Sequence, residues 1–278
     1  MPAGAPSRHN GPVVDGVRGG TGLARLCLAE FAGTALLVAV GLSFVILDFG
    51  ARSPVAALLP SPAGRRALTG ALFGATGMTV AWSPLGRVSG AHLNPVVSLA
   101  FWAEGALSGR TLAGFVASQS VGAVAGAVPL LAWGARGAGI SYGATSPGAA
   151  GIAPAFLGEM VTTFAMVSVV LAMVASSRAR AYTPFAFPPL YCVMVWLEAP
   201  LSGTSTNPAR SLGPDVIALE PHAYWLYVLA PALGALAAVV FRRLLPPRSR
   251  LPIEVAKLSH FEKEAVHVLL TRAGRPRA

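Results

Sequence analysis

Residues 89–96 read SGAHLNPV, and residues 202–210 read SGTSTNPAR. Each stretch reaches an Asn-Pro pair five residues after its serine. Asn is among the best N-cap residues and Pro is favoured at the first helical position, so each pair predicts the start of a helix. The apolar stretches that follow, residues 95–102 and 208–218, are long enough to cross roughly half of a bilayer. The sequence therefore predicts two half-length helices that begin inside a membrane.

The composition of the whole chain agrees with this. Of its 278 residues, 54% are hydrophobic and only 12% are charged, and the mean hydropathy is +0.62. Soluble domains carry about a quarter charged residues, so a cytosolic enzyme and a disordered chain are both excluded. Cys27 and Cys192 lie in apolar stretches, which favours free thiols over a metal site. We expect no cofactor, no metal and no catalysis, because no nucleophile, acid–base pair or phosphate loop is present.

Six apolar segments are candidates for full membrane spans, since a helix needs about 20 residues to cross the hydrocarbon core. They are residues 23–47, 67–82, 111–133, 155–175, 183–198 and 222–241. With the two half-helices, they predict an all-α membrane protein with six transmembrane helices and two re-entrant half-helices.

The positive charges predict the orientation. If the N-terminus and every second loop are assigned to one side, that side holds 16 of the 21 Lys and Arg residues. Both termini are therefore expected in the cytoplasm. The net charge of +10 follows from this topology and does not require nucleic acid as a partner. Arg-rich composition with abundant Ala, Gly and Pro suggests a GC-rich bacterium, and hence its inner (plasma) membrane.

The chain also repeats itself. Glu30 in the first span and Glu159 in the fourth lie in similar contexts, and each half later reaches an Asn-Pro pair. Three spans per half is an odd number, so the second half must enter the membrane from the opposite face. The predicted organisation is a disordered tail (1–20), a channel domain (21–245) with repeats at 22–133 and 155–245, and a basic cytoplasmic tail (246–278).

This topology brings the two Asn-Pro sites together near the bilayer midplane. Each asparagine oxygen is expected to cap its own helix, which leaves the amide NH2 group as a donor toward one lumen. Each half-helix also aims its positive dipole end at the same point. Such a site repels cations and orients water, while the loops that lead into it offer backbone carbonyls as acceptors. Arg210 lies one helical turn after Asn207 and is a functional candidate by default.

At these residues the sequence resembles the major intrinsic protein family, the aquaporins and aquaglyceroporins, over roughly residues 23–241. The resemblance implies a right-handed helical bundle with a pore in each subunit, assembled as a homotetramer in the lipid bilayer. It implies that the midplane of the pore is formed by the two boxes, Asn94, Pro95, Val96 and Asn207, Pro208, Ala209.

The resemblance also implies roles for residues outside the boxes. Glu30 and Glu159 match the family's loop-bracing glutamates, and His92 is expected to be a hydrogen-bond partner of a bracing glutamate. Arg210 matches the arginine of the narrow outer filter. Thr204, which stands where many water channels have a cysteine, is expected to line the same filter.

Several positions depart from the family pattern. Val96 replaces the usual alanine of the first box, and we expect a small local adjustment with an intact pore. Val195 stands where water-specific members place a histidine, so the filter loses a donor and gains room. The filter residue on the second span is either Gly74 or Phe73, because Gly74 is also spaced with Gly70 for close helix packing.

Other markers of solute preference are mixed. Ser211, after the filter arginine, is typical of water channels, whereas Tyr227 and Val228 fit neither subfamily. We predict a passive channel for water and small uncharged solutes such as glycerol, urea, ammonia or metalloid hydroxides, which excludes ions and protons. An ion- or proton-coupled transporter on inverted repeats is the alternative, and a closed structural membrane protein is a third hypothesis.

Overall fold

The computed structural model describes residues 20–221, 223–246 and 253, and this part of the chain contains helices and no strand. The α-helices are α1 (Gly20–Phe49), α2 (Pro54–Leu58), α3 (Pro62–Trp82), α4 (Pro84–Ser89), α5 (Pro95–Ala103), α6 (Gly109–Ala127), α7 (Ala135–Ala138), α8 (Ile152–Ala175), α9 (Thr183–Ser202), α10 (Pro208–Ala218) and α11 (Tyr224–Leu244). Short 3₁₀ helices lie at Val128–Trp133, Ser141–Gly143 and Arg180–Tyr182. The two predicted tails lie almost wholly outside the described residues.

The predicted architecture of six long helices and two half-helices is confirmed. The half-helices are α5 and α10, and both begin at the proline of their Asn-Pro pair. Within the described residues, five helical segments are long and apolar enough to cross a membrane, corresponding to α1, α6, α8, α9 and α11. The sixth, α3, has 21 residues, sufficient for about 30 Å, but carries Arg65 and Arg66 near its start.

Helix packing reproduces the inverted repeat. The first helix of each half packs along the third, as α1 with α6 and α8 with α11. The two middle helices, α3 and α9, pack along each other. Each half-helix also contacts the third long helix of the other repeat, as α5 with α11 and α10 with α6. Because the contacts recur in equivalent pairs, the two halves are related by a pseudo-two-fold axis that passes between α3 and α9.

Small residues allow these helices to approach closely. A Cβ added at Gly70 would lie 2.2 Å from the carbonyl oxygen of Tyr191, and one added at Gly74 would lie 2.5 Å from that of Phe187. Both glycines of α3 therefore let its backbone contact the backbone of α9. The pair Gly122 and Gly126 on α6 meets α1 in the same way.

The loops that lead into the half-helices have the same backbone in both repeats. Helix α4 ends at Gly90 with φ of 93°, and α9 ends at Gly203 with φ of 82°, both in the left-handed conformation that favours glycine. Positive φ angles then recur at two matching positions of each loop: Ala91 (51°) and Leu93 (51°), Thr204 (53°) and Thr206 (49°). Non-glycine residues adopt such angles only when the surroundings hold them there, so both loops must be fastened from outside.

Candidate functional site

The two asparagines cap their half-helices as the sequence predicts. The Oδ1 atom of Asn94 accepts a hydrogen bond from the backbone N–H of Val96 at 3.0 Å. The Oδ1 atom of Asn207 accepts from the N–H of Ala209 at 3.0 Å and from that of Arg210 at 3.3 Å. Since the first contact has the same length in both halves, the larger Val96 side chain leaves its cap intact.

The amide groups of the same asparagines join the two loops. The Nδ2 atom of Asn94 donates to the carbonyl of Thr206 at 2.8 Å, and that of Asn207 donates to the carbonyl of Leu93 at 2.9 Å. An amide NH2 group has two hydrogens, so each asparagine keeps one further donor. Both asparagines line one inner cavity, which brings their remaining donors to the same lumen. One N–H of each amide therefore joins the two loops, and the other remains a donor at the inner cavity.

Glu30 holds the first loop. Its Oε1 atom accepts from the backbone N–H of His92 at 3.0 Å, and its Oε2 atom accepts from that of Leu93 at 2.8 Å. The Oε2 atom also accepts from the Nε2 atom of Gln119 at 2.7 Å. The ring of His92 is within hydrogen-bond distance of the Ser98 hydroxyl at 3.1 Å. The contact between His92 and Glu30 is thus made by the backbone of His92.

Glu159 holds the second loop in the same manner. It accepts from the backbone N–H groups of Ser205 at 2.6 Å and Thr206 at 2.7 Å, one to each carboxylate oxygen. The hydroxyl of Ser202 supplies a third donor at 2.6 Å. Both glutamates are fully buried. Two backbone N–H groups and one side-chain donor therefore satisfy each buried carboxylate, as a buried charge requires.

Gln119 was missed by sequence reasoning. It lies on α6 and is fully buried, where its amide bridges Glu30 and the hydroxyl of Ser98. A lone amide in an otherwise apolar span was the available signal, since buried polar side chains are normally hydrogen-bonded. Ser211, interpreted above as a marker of water channels, is also buried and contacts the hydroxyls of Thr145 and Ser205 behind the second loop.

An outer cavity of about 250 Å³ lies between α1, α3, α9 and the second loop. It brings together four residues predicted for the filter, Phe73, Val195, Thr204 and Arg210. Gly74 does not line this cavity but lines the inner one, and its backbone packs against α9. Of the two residues left open for the second span, Phe73 is the one whose side chain faces Arg210. Its ring centroid lies 6.0 Å from the Cζ atom of that arginine.

Arg210 is held inside the protein at this cavity. Only 5% of the residue is exposed, so the side chain does not reach toward the membrane surface. Its Nη1 atom donates to the carbonyl of Gly143 at 2.8 Å. Gly143 lies in the segment between the repeats and has φ of 80°, in the left-handed region that favours glycine. The connecting segment therefore helps to orient the guanidinium group, which has five N–H donors in total.

Thr204 is oriented by a buried carboxylate near the end of α9. The hydroxyl of Thr204 donates to the Oε2 atom of Glu198, and only 4% of Glu198 is exposed. Because the Thr204 hydrogen is directed at Glu198, its oxygen is left as an acceptor beside the outer cavity. The chain position of Glu198, six residues before Thr204 near the end of α9, gave no sign of this contact.

A smaller inner cavity of about 40 Å³ lies at the asparagines. This is space for about one water molecule. Phe73 and Tyr191 line both this cavity and the outer one. Tyr191 was not among the predicted site residues. Val96 lines neither cavity and is buried with 2% exposure in the apolar core.

Comparisons with known proteins agree with this geometry. A family model described as Major intrinsic protein matches residues 20–241. The chain is 34% identical over 197 residues to Aquaporin Z of Rhodopseudomonas palustris, covering 66% of this chain and 81% of that protein. It is 33% identical over 215 residues to Aquaporin NIP1-4 of Oryza sativa subsp. japonica, covering 77% and 74%. The aquaglyceroporin from Plasmodium falciparum has a similar fold, with a TM-score of 0.67, 18% identity, and coverage of 82% and 98%.

Proposed function

The chain belongs to the major intrinsic protein family and is a passive membrane channel for water or small uncharged solutes; from this premise we propose a more specific function. The pore passes water together with uncharged, hydrogen-bonding solutes of the size of urea, and it excludes ions. Glycerol passes more slowly than urea. The general class of channel is thereby narrowed to one that admits solutes of a particular size range.

The observation that carries the proposal is Val195 in the wall of the outer cavity that Arg210 and Thr204 also line. Val195, Phe73 and other apolar side chains line this cavity together with Arg210 and Thr204. A water-specific filter is expected to surround a single water molecule with polar groups. A cavity lined by both apolar side chains and a few polar groups instead suits a solute that replaces part of its hydration by a few hydrogen bonds and buries its apolar part.

The exclusion of ions is supported by the midplane geometry. Asn94 and Asn207 line one cavity, and each has a spare N–H donor. The positive ends of both half-helix dipoles point to this region, and Arg210 adds a full charge at the outer cavity. A cation would lose its hydration here without gaining acceptors from the asparagines, so it meets an electrostatic barrier.

The contacts of the buried carboxylates disfavour a coupled transporter. Such a transporter needs a titratable group that changes partners along the path. Glu30 and Glu159 each accept two backbone N–H groups that hold a loop in place. Releasing either carboxylate would leave buried backbone donors unpaired, so neither is free to serve as a carrier site.

The exposed surface of the long helices and the distribution of positive charge support an inference about assembly and location. Apolar side chains such as Leu28, Val121, Val161 and Leu233 are exposed on the long helices, as expected of surfaces that face lipid or another subunit. We infer a homotetramer with one pore per subunit in the plasma membrane of a bacterium. Both termini lie in the cytoplasm according to the distribution of Lys and Arg. The channel domain extends over residues 21–245 between two tails.

The proposal is tested by stopped-flow light scattering on proteoliposomes that contain the full chain. Vesicles shrink in an impermeant osmolyte at a rate set by water flux, and re-swelling in urea reports solute entry. We expect both to exceed protein-free vesicles, with no increase in the decay of an imposed proton gradient. Val195→Trp is the control, because it fills the outer cavity and should return both fluxes toward the background. Fast water flux without urea entry would contradict the proposal.

A further inference from the structure

The outer and inner cavities meet at two aromatic side chains. Phe73 and Tyr191 are the residues common to the linings of both cavities. Their ring centroids are 5.7 Å apart, with the ring planes tilted by 30°. A solute that moves from Arg210 to the asparagines must therefore pass beside this aromatic pair. The pair lies between a cavity of about 250 Å³ and one of about 40 Å³, so less space is available to a solute on the inner side of the pair.

Tyr191 lies on the same face of α9 as Val195. The two residues are four positions apart, which places their side chains one above the other. One helical turn corresponds to about 5.4 Å along the helix axis. Val195 leaves room at the outer filter, and Tyr191 places a large side chain about one turn deeper. On this face of the pore, the large side chain therefore lies about one helical turn deeper than the outer filter.

Tyr191 is held firmly in this position. Only 7% of it is exposed, and its hydroxyl is 3.1 Å from the Thr206 hydroxyl and 3.4 Å from the sulfur of Met166. Its backbone carbonyl lies against Gly70, where an added Cβ would come within 2.2 Å. Both ends of Tyr191 are thus fixed, so its ring is a rigid wall of the pore.

The partner of the Tyr191 hydroxyl belongs to the second loop. Thr206 donates its backbone N–H to Glu159 and accepts from the amide of Asn94 through its carbonyl. Tyr191 is therefore connected through one residue to both the bracing carboxylate and the midplane. Its ring also lies 6.3 Å from that of Phe187 on the same helix. These contacts leave the ring little freedom to move aside for a larger solute.

We propose that Tyr191, packed beside Phe73, sets the size limit of this channel, and that the limiting constriction lies about one helical turn inward of Val195. The inference rests on the proposed function, because it assumes a pore that admits solutes larger than water. The outer filter admits the solute, and the aromatic pair then decides its rate of passage. Urea is flat and passes the pair readily, whereas glycerol is retarded there.

The test measures the ratio of glycerol to water permeability in proteoliposomes for a set of variants at positions 191 and 195. Tyr191→Ala removes the ring, and we expect the ratio to rise roughly tenfold, which corresponds to about 1.4 kcal/mol in the barrier. Tyr191→Leu keeps an apolar side chain of smaller size and should raise the ratio to a lesser extent. Because Leu fills much of the space left by Tyr, the permeability ratio can still be measured in this variant if Tyr191→Ala does not fold.

Two further variants separate the effect of the Tyr191 ring from the effects of its hydroxyl and of the outer filter. Tyr191→Phe keeps the ring and removes the hydroxyl, so the ratio should stay within about twofold of the original channel. Val195→Ala enlarges the outer filter, and it should raise the ratio clearly less than Tyr191→Ala does. Tetramer size and helical content of each purified variant confirm that the fold is retained.

The outcomes distinguish this inference from the proposed function. If the original channel conducts urea, and removal of the Tyr191 ring raises the glycerol ratio, both stand. If the original channel conducts urea but Tyr191→Ala and Tyr191→Leu leave the glycerol-to-water ratio unchanged, the constriction is not at Tyr191. The inference is then wrong, while the proposed function still stands. A rise in Val195→Ala as large as that in Tyr191→Ala would place the limit at the outer filter and would also overturn the inference. Absence of urea flux in the original channel contradicts the proposed function instead.

Discussion

The two Asn-Pro loops share one backbone design. Each follows a helix that ends at a left-handed glycine, and each has positive φ angles at the same two later positions. Each is held by two backbone N–H groups on a buried glutamate, Glu30 or Glu159. Each sends an asparagine amide to the carbonyl that precedes the other asparagine. The features that the loops share therefore build the midplane of the pore.

The side chains of the two loops differ. The first loop places Ala91 and Leu93 at its left-handed positions, whereas the second places Thr204 and Thr206 there. The second half-helix also carries Arg210, which lines the larger outer cavity. Under the proposed function, the repeated backbone forms the channel, and the side chains that differ between the two loops determine which solutes enter it.

The largest effect is expected from removing the shared braces. Glu30→Ala and Glu159→Ala each leave two buried backbone N–H groups unpaired, at a cost of about 1–3 kcal/mol for each group. Both variants should lose thermal stability in detergent to a similar degree, measured as the midpoint of helix loss by circular dichroism. Glu220→Ala, at an exposed carboxylate that accepts a hydrogen bond from the Ser141 hydroxyl, is the control and should lower the midpoint much less than either brace variant. Clearly unequal losses of thermal stability in the two variants would contradict the equivalent roles that the structure indicates for the two glutamates.

A second comparison concerns the midplane donors. Asn94→Asp and Asn207→Asp each retain a cap acceptor but lose the donated hydrogen bond to the opposite loop and place a carboxylate in the inner cavity. Both should increase cation leak, measured as decay of a potassium gradient in proteoliposomes. The leak should be larger in Asn94→Asp, because the charge of Arg210 lies on the half-helix that Asn207 caps. If neither variant leaks, the account of ion exclusion by donors is wrong.

Much of this arrangement could be predicted from the sequence because its signals are local. The Asn-Pro pairs fix where α5 and α10 begin, since capping depends on adjacent residues. The positions of Glu30 and Glu159 in matching contexts indicate the repeat. The inverted orientation then follows from an odd number of spans in each half.

The remaining features could not be predicted because they depend on contacts distant in the chain. Tyr191 looks like any aromatic residue of an apolar span, and its place in the pore appears only when α9 packs on α3. The choice between Phe73 and Gly74 depends on a one-residue shift in helix rotation, which periodicity alone does not fix. Gln119 reaches Glu30 across 89 positions in the sequence. Such partners are determined by tertiary packing.

The smallest but most specific effect is expected at Val195, where the outer half differs from a water-specific filter. Val195→His adds bulk and a donor beside Arg210 without touching either loop. Val195→Leu is the matched variant, because it adds bulk without a donor and separates size from hydrogen bonding.

The most direct test of the account is therefore the ratio of urea to water permeability in Val195→His, measured by stopped-flow light scattering in proteoliposomes. The account predicts that urea permeability falls roughly tenfold, the effect of about 1.4 kcal/mol in the barrier, while water permeability stays within about twofold. An equal loss of both fluxes, or an unchanged ratio, would contradict the claim that side chains of the outer half select the solute.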